Sequence, residues 1–203
     1  PLFHVTGCHG MLLGSLAHGG KLVLMHKWEP AVALQLIEQE KINIFSGVPS
    51  MVRELLDANE NDKHDLSTIT NIGYGGAPAP PELLRRIRAA MPAVGASNGW
   101  GITETSGGIA TNSRRDYQEK PDSVGPPSPV CDVKAVDETG TTLGPEELGE
   151  LWVRGPNVVR GYWRQPEATA AAFTDGWFHT GDVGKIDEQG FIYLVDRLKD
   201  MII

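Results

Sequence analysis

The chain has 203 residues, 40% hydrophobic and 22% charged, with a formal net charge of -8. At this size roughly 70% of the unfolded surface is buried on folding, so the chain can build a core without metal or disulfide staples. The acidic balance argues against a nucleic-acid partner, which needs clustered Lys and Arg. No apolar run approaches the ~18 residues of a transmembrane helix.

The two cysteines, Cys8 and Cys131, share no motif, and the six histidines lack metal-ligand spacing. A cytoplasmic, reducing location is the default expectation. The chain begins "PLFHVTG" and stops inside the apolar "LKDMII", which reads as a piece of something longer.

In chain order, "KLVLM" (21–25) predicts a strand, "PAVALQLIEQE" (30–40) a helix opened by proline, and "INIFSG" (42–47) a second strand. "PSMVRELLDAN" (49–59) and "PPELLRRIRAAM" (80–91) predict further helices with proline in the first turn, where its missing N–H costs nothing. "TITNIGYG" (68–75) and "AVGASNG" (93–99) are the strands that accompany them. The cations Arg85, Arg86 and Arg88 lie opposite Leu83, Leu84, Ile87 and Met91, the pattern of a solvated helix face. Strands separated by helices of this length imply right-handed crossovers and a parallel sheet buried on both faces.

After about residue 115 the pattern changes. "RRDYQEKPDSVGPPSP" (114–129), rich in proline and charge, reads as a connection. "VCDVKAVDETGTTL", "GELWVRG" and "GKIDEQGFIYLVDR" then predict short strands with Gly turns, with one helix at "PEATAAAF" (166–173). The fold class is therefore α/β: a parallel sheet flanked by helices over 1–115, followed by a small β-rich, barrel-like subdomain over 116–196.

Ligands bind outside the carboxyl ends of parallel strands. Two Gly-rich stretches fall at such ends: "GYGGAP" (73–78) and "NGWGITETSGG" (98–108). Glycine there admits close backbone approach. Thr103 and Thr105 offer hydroxyls, Glu104 is a hard oxygen ligand suited to Mg²⁺ held against phosphates, and Trp100 offers a flat face. The alternatives stay open at this point: GGAP also suits a turn into a helix, and NGWGITET also suits a mobile loop with Trp100 in the core. Neither stretch is a GxxxxGK[ST] phosphate loop or a GxGxxG fingerprint.

"GWGITET" resembles the YGxTE motif of the adenylate-forming superfamily, which includes acyl-CoA synthetases, firefly luciferase and the adenylation domains of peptide synthetases. The resemblance extends in order through "PLFH", "GGAP", "NGWGITET", "GELWVRGPNVVRGYW", "GWFHTGD" and "DRLKDMII". The combination of "PLFHVTG", "WFHTGD" and "DRLKDMII" is most similar to fatty-acyl-CoA and aryl-CoA synthetases.

The resemblance implies roles residue by residue. The backbone of Gly75, Gly76 and Ala77 would line adenine, with Trp100 on its other face and Gly101 beside it; relatives usually carry Tyr or Phe in place of Trp100. Thr103 would contact the α-phosphate and Glu104 would ligate Mg²⁺. Asp182 would accept from the ribose hydroxyls, and Arg197 would reach the same sugar. Lys199 matches the hinge, within 197–203, to a C-terminal domain. His4 would stand near the acyl carboxylate, and Gly99 and Gly107 would leave room for the acyl chain.

The activity implied is that of an ATP-dependent, AMP-forming acyl-CoA synthetase. It would join a carboxylic acid, expected to be a medium- or long-chain fatty acid with an aryl acid as the alternative, to coenzyme A. An adenylation domain that loads a carrier protein and a non-catalytic AMP-binding module are the rival expectations. Family members are longer. Their phosphate loop would precede Pro1, and the C-terminal domain with its adenylation lysine would follow Ile203, so these 203 residues alone are expected to be inactive.

Overall fold

Proline at the first helical turn sets three of the main helices. It starts α2 (Pro30–Glu40), α3 (Pro49–Ala58) and α4 (Pro81–Ala90), each entered from an extended residue. The computed structural model describes residues 2–59, 63–77 and 79–197. Before these helices, Thr6–Leu13 winds as a π-helix into α1 (Gly14–Ala17).

The strands β1 (Ile44–Gly47), β2 (Asn71–Gly75) and β3 (Gly95–Trp100) are parallel neighbours in that order, and β4 (Ala110–Ser113) completes the sheet. Lys21–Met25 lies outside the ladder, contrary to the strand expected there. Strand-forming residues make a strand only when a neighbour takes their backbone hydrogen bonds.

The chain divides into two units: residues 1–99 with 112–122, and residues 100–111 with 123–203. In the first, the buried stripe of each helix meets one face of the sheet. Leu34 and Ile37 of α2, Val52 and Leu55 of α3, and Leu84 and Ile87 of α4 pack with Ile72, Tyr74 and Ala96. Each such aliphatic side chain contributes roughly 1.5–3 kcal/mol relative to exposure.

The opposite face is only half-buried. Its register row Ser46–Gly73–Ser97 is small and polar, and Asn71 donates to Ser97 Oγ at 3.3 Å. The sheet thus differs from the one buried on both faces that its crossovers imply: this face is small and polar in β2 and β3, and Ile44 of β1, on the same face, is exposed. The segment expected as a connection contains the short helix α5 (Arg114–Glu119), which buries Tyr117 in this core. The phenols of Tyr74 and Tyr117 meet at 2.7 Å. Burial first, and the neighbouring phenol second, push Tyr74 well above the ordinary tyrosine pKa.

The second unit is built on antiparallel pairing. Its strands β5 (Asp132–Val136), β6 (Gly149–Arg154), β7 (Phe173–Thr174) and β8 (Trp177–Ile186) run in the order β5-β6-β8-β7, and β9 (Ile192–Arg197) pairs with β8. Helix α6 (Pro166–Ala172) precedes β7. Leu151, Val153 and Ile192 are fully buried with Ile109 and Trp100. On the other face of β6, Trp152 stacks on its cross-strand partner His179, with ring centroids 4.0 Å apart.

Candidate nucleotide and metal site

A bulge in β8 aims Asp182. Between Glu150 paired with Val183 and Trp152 paired with His179, the single residue Leu151 faces Thr180, Gly181 and Asp182. Gly181 takes φ +71°, a left-handed conformation that costs glycine little. Its N–H donates to Glu150 Oε1 at 3.0 Å, while the Thr180 hydroxyl donates to the Leu151 carbonyl at 2.6 Å.

The carboxylate so placed is buried, with a side chain 10% exposed, and is held from two sides. The Trp100 indole N–H donates to Oδ2 at 2.7 Å, and Arg197 Nε donates to Oδ1 at 2.8 Å. Arg197 faces Asp182 because the two are register partners across β8 and β9. Each carboxylate oxygen can accept more than one hydrogen bond, so both retain acceptor capacity for a ligand's hydroxyls. Trp100 is itself 6% exposed and packs in the unit's core, with its ring edge turned to the acid.

Glu104 sits on a loop with its own architecture. After β3 the chain makes a single 3-10 turn, Thr103–Thr105, then passes through Ser106 at φ +56° and Gly107 at φ +95°. Buried Thr105 closes the turn, its hydroxyl donating to the Ile102 carbonyl at 3.0 Å. The N–H of Gly107 also donates to that carbonyl, at 3.1 Å. A Cβ at Gly101 would collide with the Gly107 carbonyl, so glycine is required there by close backbone approach.

Thr103 is exposed and Glu104 half-buried at the head of this loop. The Tyr162 hydroxyl donates to Glu104 Oε1 at 2.8 Å. Burial first, then the Glu104 carboxylate, raise the phenol's pKa. Among the described residues no group of three or more His, Cys, Asp and Glu assembles. A cation at Glu104 would therefore take most of its ligands from phosphates and water, the habit of magnesium.

The remaining expected residues that are described lie in the first unit, apart from Gly107 in the loop above. Gly75 and Gly99 are register partners at the carboxyl ends of β2 and β3, and a Cβ on Gly75 would stand 2.5 Å from the Gly99 carbonyl oxygen. Gly76, at φ +74°, and Ala77 follow, both exposed. His4 is exposed just ahead of the π-helical stretch, its carbonyl accepting from the Cys8 N–H at 2.8 Å. Lys199 lies outside the described residues. Tyr162 and Asn157, both in contact with the Glu104 loop, were assigned no role by sequence reasoning, although they stand in the segment "RGPNVVRGYW". They lie 49 to 58 positions from the loop residues they contact, a separation no periodicity spans.

The AMP-binding enzyme family model matches residues 1–163. The chain belongs to the AMP-binding enzymes. It is 39% identical over its whole length to a feruloyl-CoA synthase of an Amycolatopsis species, of which it spans 41%. It is 37% identical to a long-chain-fatty-acid–CoA ligase of Bacillus subtilis, of which it spans 36%. Among solved structures it is similar, with a TM-score of 0.89 and 35% identity, to the O-succinylbenzoate coenzyme A synthetase of Bacillus subtilis in complex with ATP and magnesium ion. All of this chain and 41% of that one are covered. The chain thus spans about two fifths of the length of these AMP-binding relatives, and its two units have the partial N-terminal domain fold of acyl-CoA synthetases.

No helix among the described residues is long and apolar enough to cross a membrane.

Proposed function

We propose that the chain is part of a cytoplasmic, ATP-dependent, AMP-forming acyl-CoA synthetase. The observation that carries this reading is the buried Asp182 carboxylate held by Trp100 and Arg197, in the same unit as the Glu104 loop. It is supported by relatives named as CoA ligases and by solved structures named as complexes with AMP and with ATP and magnesium.

In the proposed reaction a substrate carboxylate oxygen attacks the α-phosphorus of ATP. The bond to the bridging oxygen breaks and pyrophosphate leaves with its electron pair. The coenzyme A thiol, losing its proton to solvent, then attacks the acyl carbonyl, and the acyl carbon–oxygen bond breaks as AMP departs with its electron pair. No enzyme nucleophile is needed, and the chain's part is to position reactants and complement charge.

Asp182 and Arg197 would hold the ribose. The backbone at Gly75, Gly76, Ala77 and Gly101 would line adenine beside Trp100, and Thr103 would donate to the α-phosphate. Bound Mg²⁺ would screen the phosphate charge, and Glu104 fits it as a single hard carboxylate ligand. Lys199 keeps its proposed place at the hinge to a C-terminal domain. His4, Gly99 and Gly107 keep theirs at the acyl group. These 203 residues alone would not turn over.

The acid proposed is a medium- or long-chain fatty acid. The feruloyl-CoA synthase relative favours a second reading, an aryl acid. Incubating the full-length protein with ATP, Mg²⁺, coenzyme A and a panel of straight-chain and hydroxycinnamic acids tests both. Acid-dependent AMP and acyl-CoA are expected. Acyl transfer to a carrier protein but never to coenzyme A would replace the reading with an adenylation domain, and AMP binding without turnover would replace it with a binding module.

A further inference from the structure

The segment Gly155–Tyr162 grips the Glu104 loop along its length. The Val159 N–H donates to the Glu104 carbonyl at 2.8 Å. Asn157 Nδ2 donates to the Thr105 carbonyl at 3.0 Å and to the Gly108 carbonyl at 3.1 Å, bridging the two sides of the turn. The Ser106 hydroxyl donates back to the Asn157 carbonyl at 2.9 Å. Asn157 is oriented in turn by the buried Cys131 thiol, which donates to Oδ1 at 3.2 Å.

The far end of the segment holds the side chain rather than the backbone. Tyr162 reaches Glu104 Oε1, and its own N–H is fixed by the Thr169 hydroxyl of α6 at 2.9 Å. That hydroxyl donates to the Gln165 carbonyl at 2.8 Å.

The turn's internal hydrogen bonds come from Thr105 and from backbone groups around Ile102 and Thr103. Asn157 supplies the cross-brace, taking two carbonyls that the short turn leaves without intrahelical partners. A carboxylate on such a loop also needs its rotamer set, because a free glutamate loses side-chain entropy whenever it meets a ligand.

We propose that Asn157 and Tyr162 are positioning residues for Glu104. Asn157 fixes the loop backbone, and the Tyr162 hydroxyl on Oε1 sets the side-chain orientation in which Glu104 would meet a divalent cation. The inference rests on the reading of Glu104 as the metal ligand.

Partners that orient a metal ligand typically account for 10- to 100-fold in metal affinity. In the full-length protein, Tyr162→Phe should raise the Mg²⁺ concentration for half-maximal ATP–pyrophosphate exchange by about 10-fold. Saturating Mg²⁺ should restore most of the rate, and metal-free AMP binding by calorimetry should match the parent. Asn157→Ala should speed hydrogen exchange at the Thr105, Ser106, Gly107 and Val159 amides by about 10-fold, the loss of protection expected when local opening becomes easier, while β8 amides are unchanged. An unchanged Mg²⁺ midpoint in Tyr162→Phe, with or without a fall in maximal rate, overturns the inference. Unchanged loop exchange in Asn157→Ala overturns the part assigned to that residue. If Glu104→Gln itself keeps the parent's Mg²⁺ dependence, the reading of Glu104 falls and the inference falls with it.

Discussion

The indole N–H of Trp100 donates to Oδ2 of Asp182 at 2.7 Å, joining the end of β3 to the bulge of β8 across 82 positions of sequence. Trp100 thereby turns a donor to a buried acid.

Trp100→Phe keeps a flat ring but removes that donor and part of a buried indole packed in the unit's core. A hydrogen bond to a charged group is worth about 1.5–3 kcal/mol and the lost volume adds to it, so urea unfolding should register a loss of about 2 kcal/mol or more. Because the freed carboxylate oxygen is also proposed to face the ribose, ATP affinity should fall more for Trp100→Phe than affinity for 3′-deoxy-ATP. Equal losses for the two nucleotides would assign Trp100 to stacking alone.

The loop glycines give opposite predictions. A Cβ at Gly101 meets the Gly107 carbonyl, whereas one at Gly108 meets nothing within 4 Å. Gly101→Ala should destabilise by about 3 kcal/mol and strip the Glu104 loop of exchange protection, the range of substitutions that force backbone apart. Gly108→Ala should stay within about 0.5 kcal/mol of the parent. Similar melting temperatures for the two variants would mean that the close approach is not structural.

The buried phenol pair sets an alkaline limit. Tyr74 and Tyr117 both have pKa values raised in the folded state, chiefly by burial. Their contribution is fully present below the unfolded tyrosine pKa of about 10 and is lost as pH rises above it, because the unfolded chain there binds fewer protons than the folded one. Unfolding free energy should therefore fall steeply from about pH 10 upward. The double variant Tyr74→Phe with Tyr117→Phe should flatten that slope. Tyr117→Phe alone should cost about 1–3 kcal/mol at neutral pH, since it leaves the Tyr74 hydroxyl buried without its partner. An unchanged alkaline slope in the double variant would exclude the pair as its origin.

Local rules made much of the fold legible. Proline in the first turn placed α2, α3, α4 and α6 to within a residue or two, because its preset φ and missing N–H suit that position. Lys21–Met25 misled because pairing depends on a neighbour that no local pattern supplies. Tyr117 looked like part of a charged connection, since a single aromatic carries no periodicity, and only the fold brings Tyr74 to it. At the candidate site, Glu104 stood out as an acid among glycines, and Asp182 only through the resemblance carried by "GWFHTGD". Their partners Tyr162, Asn157 and Trp100 meet them through register, bulge and loop return, relations written between distant segments.

The central claim is that Glu104 serves magnesium-dependent adenylate formation, and carboxylate-dependent ATP–pyrophosphate exchange by the full-length protein tests it most directly. Glu104→Gln, close in shape and lacking the charge, should lower exchange by about 100-fold or more, the scale of removing one preorganised electrostatic partner, with an unchanged melting temperature. Exchange by Glu104→Gln at the parent rate, or cleavage of ATP to ADP rather than AMP by the parent, would contradict the account.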